Sequence, residues 1–518
     1  MSVSGCVYLV GAGPGDPGLL TLRGQRCLAA ADVVVHDDLV GRRLLEHVRS
    51  DAEVIAVGGA HGDPARLDQA AIERLLVARA RAGKTVVRLK NGDPFLFGRG
   101  AEEAEALRRA AVPFEVVPGV SAALAVPAYA GIPATHRDHA SLITIATGHQ
   151  ARPAPDAEPT VPALPWSALA RQGGTLVFLM GMRQLPLIMT KLMEHGLARD
   201  TPAAVVERGT TGRQRTVVAT VATLAERVRG AGLGPPGVVV VGNVVGVRER
   251  VRWFEDRPLF GRRVVLTRAR AQAGELARPL EEAGADVIVF PTIAIGPPRD
   301  PAALDRAVAS AFQYDWIVFT SPNGVRVFFE RFATQGRDVR ELAQVRLAAI
   351  GPETAAELGR RHLRPDVVPA EYRAEGLVEA LAGEDLRGRR FLLPRAAGAR
   401  AVLPEALAAR GALVEEVVAY EAVLPRDADV DGLRAALAAG AVDAIAFTSS
   451  STVRNFMTLL GADEVGRLVR DGRPAIACIG PVTAETARAA GLVVAVEPTA
   501  YTAPALAAAL VERLRGHG

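Results

Sequence analysis

The stretch "VYLVGAGPGDPGLLTLRG" (residues 7–24) decides how the chain begins to fold. Its apolar run, Val7 to Val10, reads as a buried strand that stops at Gly11-Ala12-Gly13 and leads into a helical pattern. Strand, glycine turn and helix open an α/β unit and outwardly match a dinucleotide-binding fingerprint. That fingerprint needs glycine at its first, third and sixth positions, which here hold Gly11, Gly13 and Asp16. Pro14 also removes a backbone N–H from the turn, and an acid at the helix entrance repels a phosphate. The loop is a poor pyrophosphate cradle. It suits a ligand without phosphate, or Asp16 simply caps the helix.

The same alternation of strand-like and helical segments continues almost throughout, which makes the chain α/β. At 518 residues it is too long for one core. Hydrophobic residues make up 49% and charged residues 23%, a globular composition, and no apolar run is long enough to cross a bilayer. The start, "MSVSGCVYLVGAG", lacks a basic n-region, so no signal peptide and a cytoplasmic location are expected. Cys6, Cys27 and Cys478 form no CxxC pair; they read as core thiols, with no disulfide framework and no metal site. Only three of the 61 basic residues are lysine. Genome composition accounts for that bias; alternatively, arginine forks suit a substrate rich in carboxylates. Basic and acidic residues interleave, leaving no stripe for nucleic acid.

Two features divide the chain. A proline-rich stretch at 151–167 reads as an exposed loop, and the pattern restarts near "RVRWFEDRPLFGRR" (250–263), which we take as the main boundary. Beyond it lies an internal repeat. "GRRVVLTR" at 261 returns as "GRRFLLPR" at 388, an offset of 127. "YDWIVFTSPNGVRVFF" at 314 returns as "VDAIAFTSSSTVRNFM" at 442, an offset of 128. "AAIGPETAAELGRR" at 348 returns as "ACIGPVTAETARAAG" at 477, an offset of 129. One spacing means a duplicated α/β unit of roughly 125 to 130 residues, too long for a solenoid, so two similar lobes are expected.

The longer string "VGAGPGDPGLLTLRG" (10–24) resembles the uroporphyrinogen-III C-methyltransferases of the tetrapyrrole methylase family. The resemblance runs to about Val251 through "VVVHDDLV" (33–40), "VRLKNGDPFLFGRGAEEAEAL" (87–107) and "VVPGVSAALAVPAYAGIPATHRD" (116–138). It continues in "TGH" (147–149), "LVFLMGM" (176–182), "ERGTTGRQ" (207–214) and "GVVVVGNVV" (237–245). It implies a two-lobed domain over 1–257 that uses S-adenosylmethionine, a cofactor without phosphate. Pro14, Asn91, Gly92, Asp93, Leu96, Ser121, Ala122, Met180 and Gly209 fall at its cofactor positions, and Asp37 at its proton-acceptor position. Read alone, an Asp after a strand is usually a helix cap or loop residue. The family's lysine proton donor in "VGKR" has no equivalent: "VGGAHG" (57–62) puts Gly59 there, with His61 nearby.

Residues 258–518 resemble uroporphyrinogen-III synthase, in "VVLTR" (264–268), "FTSPNGV" (319–325), "AAIG" (348–351), "FLLPRA" (391–396), "VVAYEAV" (417–423), "FTSSSTV" (447–453) and "CIGPVTAETARAAG" (478–491). The resemblance implies one lobe from about 261–295 with 426–517, a second from 296–425, and no cofactor. Tyr420 and Thr483 fall at positions implicated in that family. Ser321 and Ser449, in Ser-rich turns after strands, are candidate donors to substrate, as are Arg268 and Arg395 at the repeated strand ends. Together the halves are expected to make uroporphyrinogen III from hydroxymethylbilane and methylate it at C2 and C7 to precorrin-2, for sirohaem or cobalamin. A homodimer through the methylase half is a family expectation. The alternatives are a single or different methylation, and a C-terminal half that binds or senses tetrapyrrole without catalysis.

Overall fold

The computed structural model describes residues 5–49, 51–58, 67–149, 163–425, 428–469 and 473–515. Among them, twenty strands form four five-stranded sheets. The first contains β1 (Val7–Gly11), β2 (Val33–His36), β3 (Glu53–Ala56), β4 (Val86–Lys90) and β5 (Phe114–Val117), all parallel, in the order β3-β2-β4-β1-β5. Alternate strand residues face opposite sides. Val7 and Leu9 therefore pack with Leu76 and Leu107 beneath one layer of helices, and Val10 with Leu28 and Leu89 beneath the other. Both faces are covered, which is why these strands read as unbroken apolar runs. The loops after β1, β4 and β5 share the carboxyl edge of the sheet, where open α/β sheets bind ligands.

The second sheet holds β6 (Ile143–Thr147), β7 (Thr175–Leu179), β8 (Pro202–Glu207), β9 (Arg215–Thr220) and β10 (Gly237–Val241), ordered β6-β7-β10-β8-β9. Only β6 and β7 run parallel. The partly exposed edge strand β9 has no counterpart in the sequence reading, because threonine and arginine dilute its alternation. Of the proline-rich stretch, 151–162 lie outside the described residues. Its end is not loop: the helix Trp166–Arg171 starts there, with Trp166 buried and stacked 6.3 Å from Phe178.

The repeat forms the remaining two sheets. One contains β11 (Arg263–Leu266) and β12 (Asp286–Val289); the other contains β13 (Ala294–Gly296), β14 (Trp316–Phe319), β15 (Arg346–Ala349), β16 (Arg390–Ala396) and β17 (Leu413–Val423). The chain then returns to the first of them as β18 (Ala444–Phe447), β19 (Ala475–Cys478) and β20 (Val494–Val496). Their orders, β12-β11-β18-β19-β20 and β13-β17-β16-β14-β15, put repeated segments at equivalent places. β13 straddles the expected division at 295/296 and pairs with β17. The duplication extends further at the same offset of 129: Tyr372 lies over Gly351 as Tyr501 lies over Gly480.

The halves touch through Arg43, whose Nε donates to Glu281 at 2.9 Å, and through Gly212, where a Cβ would come within 2.6 Å of the Ala285 carbonyl carbon. The segment between them is held by Trp253 and Phe254, with ring centroids 5.0 and 4.8 Å from Tyr129. Among the described residues, no helix is long and apolar enough to cross a membrane.

Cys27 and Cys478 are buried and Cys6 is partly buried. Burial pushes the Cys478 thiol from 9.0 up to about 12. A thiol that ionises less readily folded than unfolded favours the native state fully below the unfolded value, and that contribution is lost as pH rises from 9 towards 12. At pH 8, Cys478 is expected to resist a soluble thiol reagent in the native protein and react once unfolded. Equal rates in both states would contradict this assignment.

Candidate active sites

The first site is built where β1, β4 and β5 end. Gly13 and Gly92 exchange two backbone hydrogen bonds, Gly92 N–H to Gly13 O at 2.8 Å and the reverse at 3.2 Å. Both have positive φ, +76° and +68°, which glycine adopts without penalty. A Cβ on Gly11 would lie 2.5 Å from Gly119 Cα, so the three loops touch backbone to backbone. Asp93 ties two of them together: one carboxylate oxygen accepts from Phe95 N–H at 2.8 Å and the other from Gly119 N–H at 3.0 Å. Ser121 caps the helix Ala122–Tyr129. Leu96 and Ala122 pack in one cluster with Leu179, the neighbour of half-exposed Met180. The loop carrying Gly209 closes the group, since a Cβ on Gly15 would meet the Thr210 and Thr211 side chains at 2.9 Å.

Asp16 shows why the opening loop departs from a phosphate cradle. Its carboxylate accepts from Gly18 N–H and from Tyr129 Oη, both at 2.7 Å, so it caps the turn Pro17–Leu19 and anchors the loop. Burial, then the bond to Asp16, raises the Tyr129 phenol well above its usual range. Backbone strain gathers at the same place. Seven described non-glycine residues have positive φ, and five of them (Phe97, Arg99, Met180, Arg208 and Thr210) lie in loops carrying cofactor candidates. Strain concentrated in this way marks sites held for binding.

Asp37 stands at the end of β2, beside the loop that follows β4. One carboxylate oxygen pairs with Arg88 Nη2, and the other accepts from Asn91 N–H at 3.3 Å. Its side chain is 33% exposed. Arg88, Lys90 and Glu103, buried behind it, were missed in the sequence. The signal was two cations, Arg88 and Lys90, in the otherwise apolar run "VVRLK" (86–90), whose five residues are all buried in the structure. Gly59 and His61 lie outside the described residues.

In the duplicated half, Tyr420 is 7% exposed, with its Oη 2.9 Å from Ser321 Oγ. Ser321 caps the helix Pro322–Thr334, and Ser449 caps the equivalent helix Ser450–Leu460. Thr483 is buried in the first turn of Pro481–Ala489. Arg268 is tied locally to Gln272 and Glu275, each at 3.3 Å. Arg395 is 6% exposed, with Nη1 on Glu416 and Nη2 on the Arg400 carbonyl, while its buried Nε has no hydrogen-bond partner.

The first two sheets therefore define a cofactor-binding α/β body whose cradle suits a ligand without phosphate, followed by a duplicated two-lobed body. Residues 6–225 match the model of the Tetrapyrrole (Corrin/Porphyrin) Methylases, and residues 274–508 that of Uroporphyrinogen-III synthase HemD. The chain is 36% identical to the porphyrin biosynthesis protein HemD of Ruminiclostridium josui, over 93% of both chains. It is 48% identical to the S-adenosyl-L-methionine-dependent uroporphyrinogen III methyltransferase of Methanosarcina barkeri, over 47% of this chain and 94% of that one. It is 49% identical to the siroheme synthase of Stutzerimonas stutzeri, over 50% of this chain and 54% of that one, so it spans about half of that relative. The chain belongs to the family in which a tetrapyrrole methylase and a uroporphyrinogen-III synthase are fused in one polypeptide.

Proposed function

We propose that the C-terminal half closes hydroxymethylbilane to uroporphyrinogen III with inversion of the last ring, and that the N-terminal half methylates this product at C2 and C7 to precorrin-2. The domains divide at 257/258, and the product serves sirohaem or cobalamin synthesis. The observation that carries the methylase reading is Asp37, an exposed-edge carboxylate hydrogen-bonded to the loop of Asn91, Gly92 and Asp93.

The cradle fits S-adenosylmethionine. A Cβ on Gly92 would find its nearest neighbour 3.7 Å away, leaving room beside the backbone, and the loop after β1, with Pro14 and Asp16, is a poor seat for phosphate. When bound, this cofactor supplies an electrophilic methyl group, so the protein has to align the nucleophilic carbon and remove a proton. Pro14, Asn91, Gly92, Leu96, Ala122, Met180 and Gly209 hold the cofactor, while Asp93 and Ser121 fix the loops that do so. Asp37 accepts the proton at its carboxylate. In the synthase half, backbone N–H groups at the starts of Pro322–Thr334 and Ser450–Leu460 orient carboxylates, Thr483 stands at the start of a third such helix, and the Tyr420–Ser321 pair acts on the leaving hydroxyl. The protein works in the cytoplasm as a homodimer through the methylase half, where Leu22, 73% exposed, and Leu39, 54% exposed, are open to a second copy.

Supplying enzymatically made hydroxymethylbilane with and without S-adenosylmethionine tests both halves. Type III uroporphyrinogen alone, gaining two methyl groups with the cofactor, is expected. Type I product only would remove the synthase reading and leave a binding module. Tyr420→Phe is expected to lower type III formation about tenfold, a loss of roughly 1.4 kcal/mol in barrier stabilisation. Methylation of supplied uroporphyrinogen III should not change. Unaltered synthase turnover would make Tyr420 a packing residue.

A further inference from the structure

Strand β4 is buried along its length, yet two of its five residues are cations. Arg88 and Lys90 are each 2% exposed and, two residues apart, point to the same face. Both reach one carboxylate: Glu103 Oε1 accepts from Arg88 Nε at 3.0 Å and from Lys90 Nζ at 2.9 Å. Glu103 is fully buried in the first turn of the helix Gly100–Arg109. Burial, with Arg88 beside it, pulls the Lys90 ammonium below its usual range.

Two buried cations on one carboxylate leave a positive charge unmatched, which a low-dielectric interior does not tolerate. Asp37 supplies the second anion through Arg88 Nη2. Of the four side chains, Arg88, Lys90 and Glu103 are 3% exposed or less, whereas Asp37 is 33% exposed. Arg88 has little freedom to move. Its Nε is on Glu103, its Nη2 on Asp37, and its Nη1 lies 3.4 Å from the Val35 and Leu89 carbonyls. A planar fork held on separate edges fixes direction as well as charge, which a lysine cannot do.

We propose that Arg88 is a positioning residue for methyl transfer, locking the Asp37 carboxylate with its free edge towards the substrate while Glu103 and Lys90 lock Arg88. This inference rests on the reading of Asp37 as proton acceptor. The test uses the full-length chain with Arg88→Met, Asp37→Asn and the double variant, measuring kcat and KM on supplied uroporphyrinogen III and cofactor affinity by calorimetry. Asp37→Asn is expected to lower kcat about a hundredfold, as loss of a general base does. Arg88→Met should lower kcat at least about tenfold with cofactor affinity changed less than about twofold, and add less than about twofold in the Asp37→Asn background, the non-additivity of residues acting as one unit. Multiplying effects, or a change in affinity at unaltered kcat, would make the cluster merely structural and overturn the proposal. If Asp37→Asn keeps full kcat, the proton-acceptor reading itself fails and the proposal falls with it. Should Arg88→Met not fold, Arg88→Lys keeps the charge but not the second edge. A folded Arg88→Lys protein with reduced kcat and unchanged cofactor affinity supports the proposal, and one with full kcat overturns it.

Discussion

Asp37→Asn is expected to reduce methyl transfer to uroporphyrinogen III about a hundredfold while leaving cofactor affinity and type III isomer formation unchanged. The substitution keeps the shape and the bond from Asn91 N–H but removes both the group that takes the proton and the charge that pairs with Arg88, so its effect falls on kcat and on the stability of the β4 cluster, not on the cradle. Cofactor affinity is spared because the loops that shape the cradle are held by other bonds. Asp93 joins the β4 and β5 loops, and Gly13 and Gly92 join those of β1 and β4. The synthase half is spared because Asp37 touches β4 and its loop, not the duplicated sheets. Product mass after a single turnover, with the isomer ratio from the same sample, checks both halves at once. A normal rate of double methylation would transfer proton removal to another group.

Gly119→Ala is expected to abolish measurable cofactor binding and to lower the melting temperature of the methylase half. Gly119 does not need a left-handed backbone; it needs the space. A Cβ there would lie 2.6 Å from Gly11 Cα and 2.9 Å from Gly11 C, and closer still to the Gly92 carbonyl oxygen. All three are backbone atoms in the loops that form the cradle, so relief requires moving the loops apart. Overpacking of this kind costs about 1–3 kcal/mol, and the separated loops no longer present their N–H and C=O groups together. Gly230→Ala is the control. It ends the helix Leu224–Gly230 with nothing within 4 Å of its added methyl, and alanine favours helix by about 0.5–1 kcal/mol. Calorimetric titration with the cofactor and thermal melting of both variants separate a lost site from a lost fold. Wild-type affinity in Gly119→Ala would mean that the three loops are not the cradle.

Much of this protein was legible in one dimension because its strands are buried on both faces. Runs such as "VYLV" (7–10) and "GVVVV" (237–241) need no partner to be recognised, and glycine and proline mark where they stop. The repeat was legible because both copies keep the same strand ends and helix starts, down to Ser321 and Ser449 as matching caps. The opening loop could be read as unsuited to phosphate from Pro14 and Asp16 alone, since one residue lacks a donor and the other carries the wrong charge.

The tertiary structure decided what each charged side chain does. Asp37 and Arg88 are 51 residues apart, and Arg395 and Glu416 are 21 apart on adjacent strands. Periodicity describes which face of its own element a residue occupies. It carries nothing about which opposite charge the packing of other elements will bring to that face. The run of residues around Arg395 therefore gives no sign of Glu416, and that around Arg88, Lys90 and Glu103 gives no sign that they stand directly behind Asp37. The sequence determined the elements, their duplication and the loops that end them. Which ions pair in the interior was settled only when separate segments had to share the same low-dielectric space.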